Sequence, residues 1–298
     1  MDPSPEELLN PAMDDRDEAS TAGSVAFVLG GGGVLGACEV GMLQALIERD
    51  IRPDLVLGTS IGAINGAMIA ADPSSSTIEA MAGMWNELGA QNVFGESLVS
   101  QAKNLLRSKI HLHSSMPLRE LLVAQFADRV IEDLAVPFGC VAAGIETAAE
   151  HWFTTGPVVE AVLASSAVPG LLPPVEISGT HYMDGGLVDS IPVGRAIAQG
   201  ADTVYVLQVG RIETPLRAPT RPWEVGTVAF EIARRHRFAA TMAALPSGVQ
   251  IHVLPTGEPV KTGLRQQLKY RDFAAAPHRI AAAYNATQEY LALRVATP

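Results

Sequence analysis

A chain of 298 residues with 48% hydrophobic and 18% charged residues has the composition of a folded globular protein, and not of a disordered or fibrous one. Its formal net charge of −11 argues against nucleic acid as a partner, because phosphate backbones require a broad positive surface. Cys38 and Cys140, the two cysteines, lack metal-ligand spacing and are expected to be buried thiols in a reducing compartment.

The chain begins with an acidic segment, residues 1–22, in which seven Asp or Glu residues stand against Arg16 alone. The segment contains Pro and Ser and shows no apolar periodicity, which predicts a disordered arm outside the folded domain of residues 23–298. It also lacks the basic start and apolar stretch of a secretory signal. No apolar run reaches the roughly 20 residues of a membrane span, so we expect a cytoplasmic protein.

Strands and helices are predicted to alternate along the rest of the chain. Apolar and β-branched runs predict strands, whereas apolar residues at helical spacing between Gly and Pro breaks predict helices. The predicted strands cover residues 24–29, 54–57, 136–145, 151–154, 180–183, 203–209 and 249–254. The predicted helices cover residues 36–49, 61–71, 77–88, 117–126, 158–165, 193–199, 223–244 and 277–293. This order favours one three-layer α/β/α domain with a mainly parallel central sheet.

A glycine run, GGGGVLG at residues 30–36, follows the first predicted strand. As G-x-G-x-x-G, with Gly31, Gly33 and Gly36, it fits a dinucleotide-binding loop, which also requires an acid at the end of the second strand. Asp54 begins that strand and therefore lies at the wrong end. The favoured interpretation is an oxyanion hole, in which N–H groups of adjacent glycines stabilise the charge that develops on an ester carbonyl oxygen.

The second predicted strand runs into a helix through GTSIG at residues 58–62, a G-x-S-x-G motif between strand and helix. A sharp turn there exposes its corner residue, Ser60, while Gly58 and Gly62 omit the Cβ atoms that would clash. The hydroxyl would then lie at a helix N-terminus, where developing negative charge is stabilised. Ser60 is therefore the candidate nucleophile, and a helix-capping serine is the alternative.

A nucleophilic serine requires a base, and seven histidines are present. His236, His252 and His278 follow Ser60 in the order that an α/β-hydrolase requires. His236 lies in a basic run and His252 in a predicted strand, so a packed or solvated histidine is the better interpretation of each.

Asp184 is the stronger candidate for the base. It ends a predicted strand, and the glycines that follow, Gly185 and Gly186, turn the chain so that the carboxylate points off the sheet edge. An Asx-type turn with no catalytic role is the alternative.

Three motifs together resemble, in order, the signature elements of the patatin-like phospholipase family. They are the glycines of residues 31–36, GTSIG at residues 58–62 and DGG at residues 184–186. The intervening ASSAVP at residues 164–169 and LPPV at residues 172–175 resemble the family's segment that leads to its catalytic acid. The resemblance covers roughly residues 24–210.

The resemblance implies an α/β/α hydrolase of lipid acyl esters that uses a Ser-Asp dyad without histidine. No metal is expected, because no His, Cys or carboxylate cluster has ligand spacing, and no cofactor is expected. On this pattern Ser60 is the nucleophile and Asp184 accepts its proton. The oxyanion hole would consist of the N–H groups of Gly31, Gly32 and Gly33. An ordinary Asp pKa of ~3.9 matches a serine hydroxyl poorly, and desolvation of Asp184 would narrow that gap.

Leu35 and Ser190 depart from the pattern, since members of the family commonly have Lys or Arg at the first position and Asn at the second. Leu35 removes a positive charge beside the glycine run. This substitution argues against charged phospholipid substrates more than it argues against ester cleavage.

Residues 100–113 form a local basic and apolar segment that contains Lys103, Arg107 and Lys109 but no acid. The pattern predicts either a lid or peripheral membrane contact, or an ordinary surface helix.

A lipid or fatty-acyl ester is the expected substrate. The alternatives to a hydrolase are a nucleotide- or dinucleotide-binding protein that uses the glycine run, and a non-catalytic binding or regulatory module on the same fold.

Overall fold

The computed structural model describes residues 23–91, 113–209, 215–216, 218–257 and 273–295. The predicted acidic arm, residues 1–22, and residues 100–112 of the basic and apolar segment lie outside the described residues. Within the described part of the chain, eight strands form one sheet and eight α-helices pack around it.

The strands are β1 (Val25–Leu29), β2 (Leu55–Thr59), β3 (Phe138–Gly144), β4 (Ala149–Phe153), β5 (Val175–Ile177), β6 (Thr180–Asp184), β7 (Thr203–Leu207) and β8 (Gln250–Val253). The α-helices are α1 (Ala37–Glu48), α2 (Ile61–Ala71), α3 (Ser75–Gln91), α4 (Met116–Phe126), α5 (Val158–Ser165), α6 (Val193–Ala198), α7 (Pro222–Ala243) and α8 (Ala276–Val295). Short 3₁₀ helices lie at Gly33–Gly36, Ile131–Asp133, Gly185–Leu187 and Phe273–Ala275.

The strand order in the sheet is β5-β6-β3-β2-β1-β7-β8, and β4 also pairs with β3. The pairs β1–β2, β1–β7, β2–β3 and β7–β8 are parallel. The pairs β3–β4, β3–β6 and β5–β6 are antiparallel. The sheet is therefore mainly parallel, as predicted. Because β1 and β2 are parallel neighbours, the turns at their carboxyl ends meet at one edge of the sheet, where open α/β sheets bind ligands.

Helices cover both faces of the sheet, and the residues of β1 show why. Successive side chains of a strand point to opposite faces, so Phe27 and Leu29 belong to one apolar core while Ala26 and Val28 belong to another. The first core packs against α1 to α5 and α8, and the second against α6 and α7. The predicted three-layer α/β/α arrangement is confirmed.

Strand β3 brings the ends of β2 and β6 together. Thr59, the last residue of β2, pairs with Val141 of β3. Asp184, the last residue of β6, pairs with the next residue of β3, Ala142. Ser60 directly follows Thr59, so the register of the sheet places Ser60 and Asp184 side by side.

Candidate active site

Ser60 forms the corner between β2 and α2 with a backbone φ of 57°, a left-handed conformation that residues other than Gly seldom adopt. Such conformations persist only where the surrounding structure enforces them, and they are concentrated at functional sites. The Ser60 side chain makes no capping hydrogen bond to α2. The sharp turn predicted from GTSIG is present, and its serine hydroxyl is not used as a helix cap.

Gly58 and Gly62 allow the two ends of this turn to approach closely. A Cβ atom at Gly58 would overlap the carbonyl oxygen of Gly62, and a Cβ at Gly62 would overlap that of Leu29. Both contacts are with main-chain atoms, which cannot rotate out of the way. The motif therefore requires glycine at these two positions for steric reasons.

Asp184 lies against the Ser60 hydroxyl in a buried site. The Oγ of Ser60 donates a hydrogen bond to the Oδ2 of Asp184 at 2.5 Å. The N–H of Gly186 donates to the other carboxylate oxygen, Oδ1, at 2.7 Å. Gly185, between them, lies so close to Val141 that a Cβ would overlap its carbonyl oxygen. The structure thus brings together the two side chains that are predicted from the sequence to be the nucleophile and the base.

Burial raises the pKa of Asp184 from its ordinary 3.8 to about 6, while hydrogen bonds from Ser60 and Gly186 hold it below what burial alone would produce. The residue is only 3% exposed. A general base works best when its pKa is close to the working pH. The pKa of Asp184 thus lies closer to neutral pH than that of an ordinary aspartate, and its carboxylate is the stronger base, which narrows the difference between the pKa values of the aspartate and the serine hydroxyl.

The glycine run lies beside Ser60 at Gly31. The point that a Cβ of Gly31 would occupy is 3.5 Å from the Cβ of Ser60 and 3.3 Å from the Oγ of Ser190. The N–H of Gly31, however, donates to the main-chain carbonyl oxygen of Ser190 at 3.0 Å. This N–H, one of the three predicted oxyanion donors, is already engaged in this structure.

Gly32 and Gly33 differ from Gly31 in this respect. Their N–H groups have no acceptor among the residues that the structure describes. Gly33 is exposed and Gly32 is partly buried, so solvent reaches both residues. A Cβ at Gly32 would overlap the side chain of Val209, and Gly33 has a φ of 58°, so both positions favour glycine.

Two serines that the sequence had not singled out contact the backbone of Ser60. The N–H of Ser60 donates to the Oγ of Ser165 at 3.0 Å. The Oγ of Ser166 donates to the carbonyl oxygen of Ser60 at 3.2 Å. Both serines belong to the ASSAVP segment, whose resemblance to a family motif was the one signal that pointed to them.

A buried polar cluster on α1, α2 and α3 supports the glycine run. The Nδ2 of Asn65 donates to Glu39 Oε2 at 2.7 Å and to the carbonyl oxygen of Gly36 at 3.0 Å. The Nε1 of Trp85 donates to Asn65 Oδ1 at 3.3 Å. Burial raises the pKa of Glu39 well above its ordinary value, which favours the neutral carboxyl. The cluster links the end of the glycine run to the helix that follows Ser60.

The residues of the alternative interpretations lie elsewhere. Asp54 accepts the N–H of Val25, the first residue of β1, at 2.8 Å, so it lies at the sheet edge opposite the glycine run. His252 stacks on Tyr205 with ring centroids 4.8 Å apart. The two other histidines considered as bases, 236 and 278, are exposed. The hydrogen-bond partner of the Ser60 hydroxyl is a carboxylate.

The two positions that depart from the family pattern also lie near the glycine run. Leu35 is partly buried and packs against the larger apolar core. Ser190 is 4% exposed, and its main-chain carbonyl oxygen accepts the N–H of Gly31. Its hydroxyl oxygen has no partner within the described ranges of the chain.

Comparison with known proteins gives a family model, described as patatin-like phospholipase, that matches residues 27–197, more than half of the chain. The patatin-like phospholipase domain-containing protein 7 of Rattus norvegicus is 35% identical over 202 residues, which are 66% of this chain and 14% of the relative. Lysophospholipase nte1 of Aspergillus terreus is 32% identical over 190 residues, which are 64% of this chain and 12% of the relative. The chain thus spans a small fraction of the length of these relatives.

Among solved structures, VipD from Legionella pneumophila matches 90% of this chain and 66% of its own, with a TM-score of 0.45 and 15% sequence identity.

The residues matched by the family model contain the glycine run, GTSIG and DGG in one continuous stretch. The chain belongs to the patatin-like phospholipase family.

Proposed function

We propose that this chain hydrolyses carboxylic esters of lipids, with Ser60 as the nucleophile and Asp184 as its base. The observation that carries the proposal is the 2.5 Å hydrogen bond between the Ser60 hydroxyl and the Asp184 carboxylate. Both residues are buried, at 8% and 3% exposure, so the bond lies where the surrounding dielectric constant is low. A hydroxyl that bonds to a carboxylate and caps no helix is oriented for proton transfer.

The reaction proceeds in two steps. In the first, Ser60 Oγ attacks the ester carbonyl carbon and Asp184 takes its proton. The bond from that carbon to the alcohol oxygen then breaks, and the proton passes to the departing alcohol, which leaves an acyl-serine. In the second step water attacks the acyl carbon and gives a proton to Asp184. The acyl–Oγ bond breaks, the proton returns to Ser60 and a fatty acid is released.

We assign the oxyanion donors to the N–H groups of Gly32 and Gly33. The proposal rests on their accessibility, on the lack of another acceptor for them among the described residues, and on their place next to Gly31 at the nucleophile. The tetrahedral intermediate carries its negative charge on the former carbonyl oxygen, which such donors stabilise. Gly31, whose N–H is engaged by Ser190, would serve instead to bring the loop close to Ser60.

The proposed substrates are lipid acyl esters. The relatives named above are called a phospholipase domain-containing protein and a lysophospholipase, which supports this class. Leu35 is uncharged and packs against the core, so the glycine run has no cation at this position to attract a phosphate head group. We therefore propose that recognition depends on the acyl ester and not on a charged head group.

The cytoplasmic location and the peripheral membrane contact through residues 100–113 stay predictions. No helix in the part of the chain covered by the structure is both long enough and apolar enough to cross a bilayer. Cosedimentation with anionic liposomes tests the membrane contact, and we expect binding to be lost when Lys103, Arg107 and Lys109 are neutralised. Binding that survives those changes would contradict it.

Hydrolysis of p-nitrophenyl butyrate by two variants tests the catalytic proposal. Ser60→Ala and Asp184→Asn should each lower kcat by on the order of 10³-fold or more with an unchanged circular dichroism spectrum. Ser76→Ala and Asp128→Asn, which alter an exposed hydroxyl and an exposed carboxylate, are the matched controls and should retain full activity. Normal hydrolysis by Ser60→Ala would contradict the proposal.

A further inference from the structure

Residues 165–167, which we call the supporting segment, contact both members of the proposed catalytic pair. The first two bond to Ser60 through their side chains: Ser165 accepts its N–H, and Ser166 donates to its carbonyl oxygen. The third, Ala167, accepts the N–H of Asp184 at 2.9 Å through its main-chain carbonyl. Three consecutive residues thus hold the backbones of two residues that lie 124 positions apart in the sequence.

The supporting segment is itself fixed by the apolar core. Its residues are 0%, 5% and 1% exposed, and it begins at the last residue of α5, a helix that is buried along most of its length. Arg119 on α4 forms a bidentate ion pair with Glu160 on α5, in which Nη2 and Oε2 lie 2.8 Å apart. A segment packed in this way presents its hydrogen-bonding groups at fixed positions, as supports of a catalytic geometry must.

The two serines are not equivalent supports. The carbonyl oxygen of Ser60 also accepts the N–H groups of Ala63 at 2.9 Å and Ile64 at 3.3 Å, so loss of the Ser166 hydroxyl leaves it satisfied. The N–H of Ser60 has Ser165 Oγ as its one acceptor among the described residues. Without that oxygen the buried N–H of Ser60, a residue with a positive φ, would have no acceptor. The backbone would then shift to find another partner.

We propose that Ser165 is a positioning residue whose hydroxyl oxygen holds the Ser60 backbone in the conformation that places Oγ against Asp184. The inference rests on the proposed function and adds a third side chain to it. Because Ser165 is 0% exposed and bonds to the backbone of Ser60, its loss should affect the chemical step and leave substrate binding unchanged.

The adjacent serines supply a matched pair of variants. Ser165→Ala should lower kcat for p-nitrophenyl butyrate about 10- to 100-fold, the factor that corresponds to one unpaired buried donor, with KM changed less than about twofold. Ser166→Ala should lower kcat less than about threefold. Thermal unfolding of each variant shows that the assay temperature lies below its transition, so that a loss of kcat is not a loss of folded protein.

A kcat of Ser165→Ala equal to that of the wild type would overturn the inference, while inactivity of Ser60→Ala would leave the proposed function standing. Equal losses in the two serine variants would also overturn it, since they indicate a general packing effect. Should Ser165→Ala not fold, Ser165→Cys supplies a weaker acceptor of similar size: a lowered kcat supports the inference and an unchanged one overturns it. A wild-type protein without esterase activity would overturn both proposals.

Discussion

Thr59 donates its side-chain hydroxyl to the main-chain carbonyl oxygen of Asp189 at 2.8 Å, and this bond joins the end of β2 to the turn that follows Asp184. The next carbonyl of that turn, of Ser190, accepts the N–H of Gly31. The turn after the proposed base therefore contacts both the strand that ends beside the proposed nucleophile and the glycine run. One side-chain and one main-chain hydrogen bond thus join this turn to β2 and to the glycine run, and a local sequence pattern does not reveal either bond.

Thr59→Val tests this connection because it preserves the shape of a fully buried side chain and removes its donor. We expect a loss of about 1 to 3 kcal/mol in the free energy of unfolding, since the carbonyl of Asp189 is left without that bond, together with a lower kcat. Denaturant unfolding and ester hydrolysis measure the two effects. Thr59→Ser keeps the hydroxyl and should be closer to the wild type, and a Thr59→Val variant as stable as the wild type would contradict the connection.

The raised pKa of Asp184, about 6, predicts the pH dependence of hydrolysis. The base acts in its ionised form, so activity is present above pH 6 and is lost as the pH falls through that value. The acid limb of kcat/KM should have its midpoint near pH 6. Burial also raises the pKa of Asp189 to about 6, so Asp189→Asn is the control and should leave the midpoint in place. A midpoint near 4, the ordinary Asp value, would show that Asp184 is not the base or is not desolvated.

Asp184→Asn should stabilise the protein at neutral pH. The folded state binds the Asp184 proton up to about pH 6 whereas the unfolded chain loses it near 3.8, so the stability of the wild type falls as the pH rises between these values. The variant lacks that loss and should gain up to about 3 kcal/mol in unfolding free energy at pH 7 relative to the wild type. Chemical denaturation at pH 7 and pH 4 measures the difference, which should shrink at the lower pH. A variant less stable than the wild type at pH 7 would contradict the argument.

Gly62→Ala and Gly83→Ala separate steric need from helix propensity. At Gly62 a Cβ overlaps the carbonyl oxygen of Leu29, so the substitution should cost about 3 kcal/mol and displace Ser60. A Cβ at Gly83, within α3, meets no atom within 4 Å, so alanine there should stabilise the protein by roughly 0.5 to 1 kcal/mol. Urea unfolding compares the two, and a neutral Gly62→Ala would contradict the steric account of the turn.

The sequence predicted the elements around the site because their signals are local. Glycines and an apolar run predicted a strand at residues 24–29 and a helix at residues 36–49, and the structure has Val25–Leu29 and Ala37–Glu48. Strand β5 was missed: it is three residues long, and its strand conformation depends on pairing with β6. Propensity cannot predict so short a strand, because its partner decides it.

The supports of the candidate site could not be predicted from the sequence. Ser165 and Thr59 act through partners 105 and 130 residues away, and neither residue type is unusual in its own segment. Glu39 resembles an ordinary helical glutamate until the fold buries it against Asn65. The sequence likewise does not reveal that the main-chain carbonyl oxygen of Ser190 accepts the N–H of Gly31. Motifs indicate which residues are candidates for the chemistry, whereas the contacts that orient them come from the tertiary structure.

Labelling with a fluorophosphonate, followed by mass spectrometry of the modified peptide, tests the central claim most directly. The reagent forms a stable adduct with a serine that is activated as a nucleophile. We predict a single adduct on Ser60, which is absent in Ser60→Ala and strongly reduced in Asp184→Asn. A folded wild-type protein that forms no adduct, or carries it on a different serine, would contradict the proposal of a Ser60–Asp184 hydrolase.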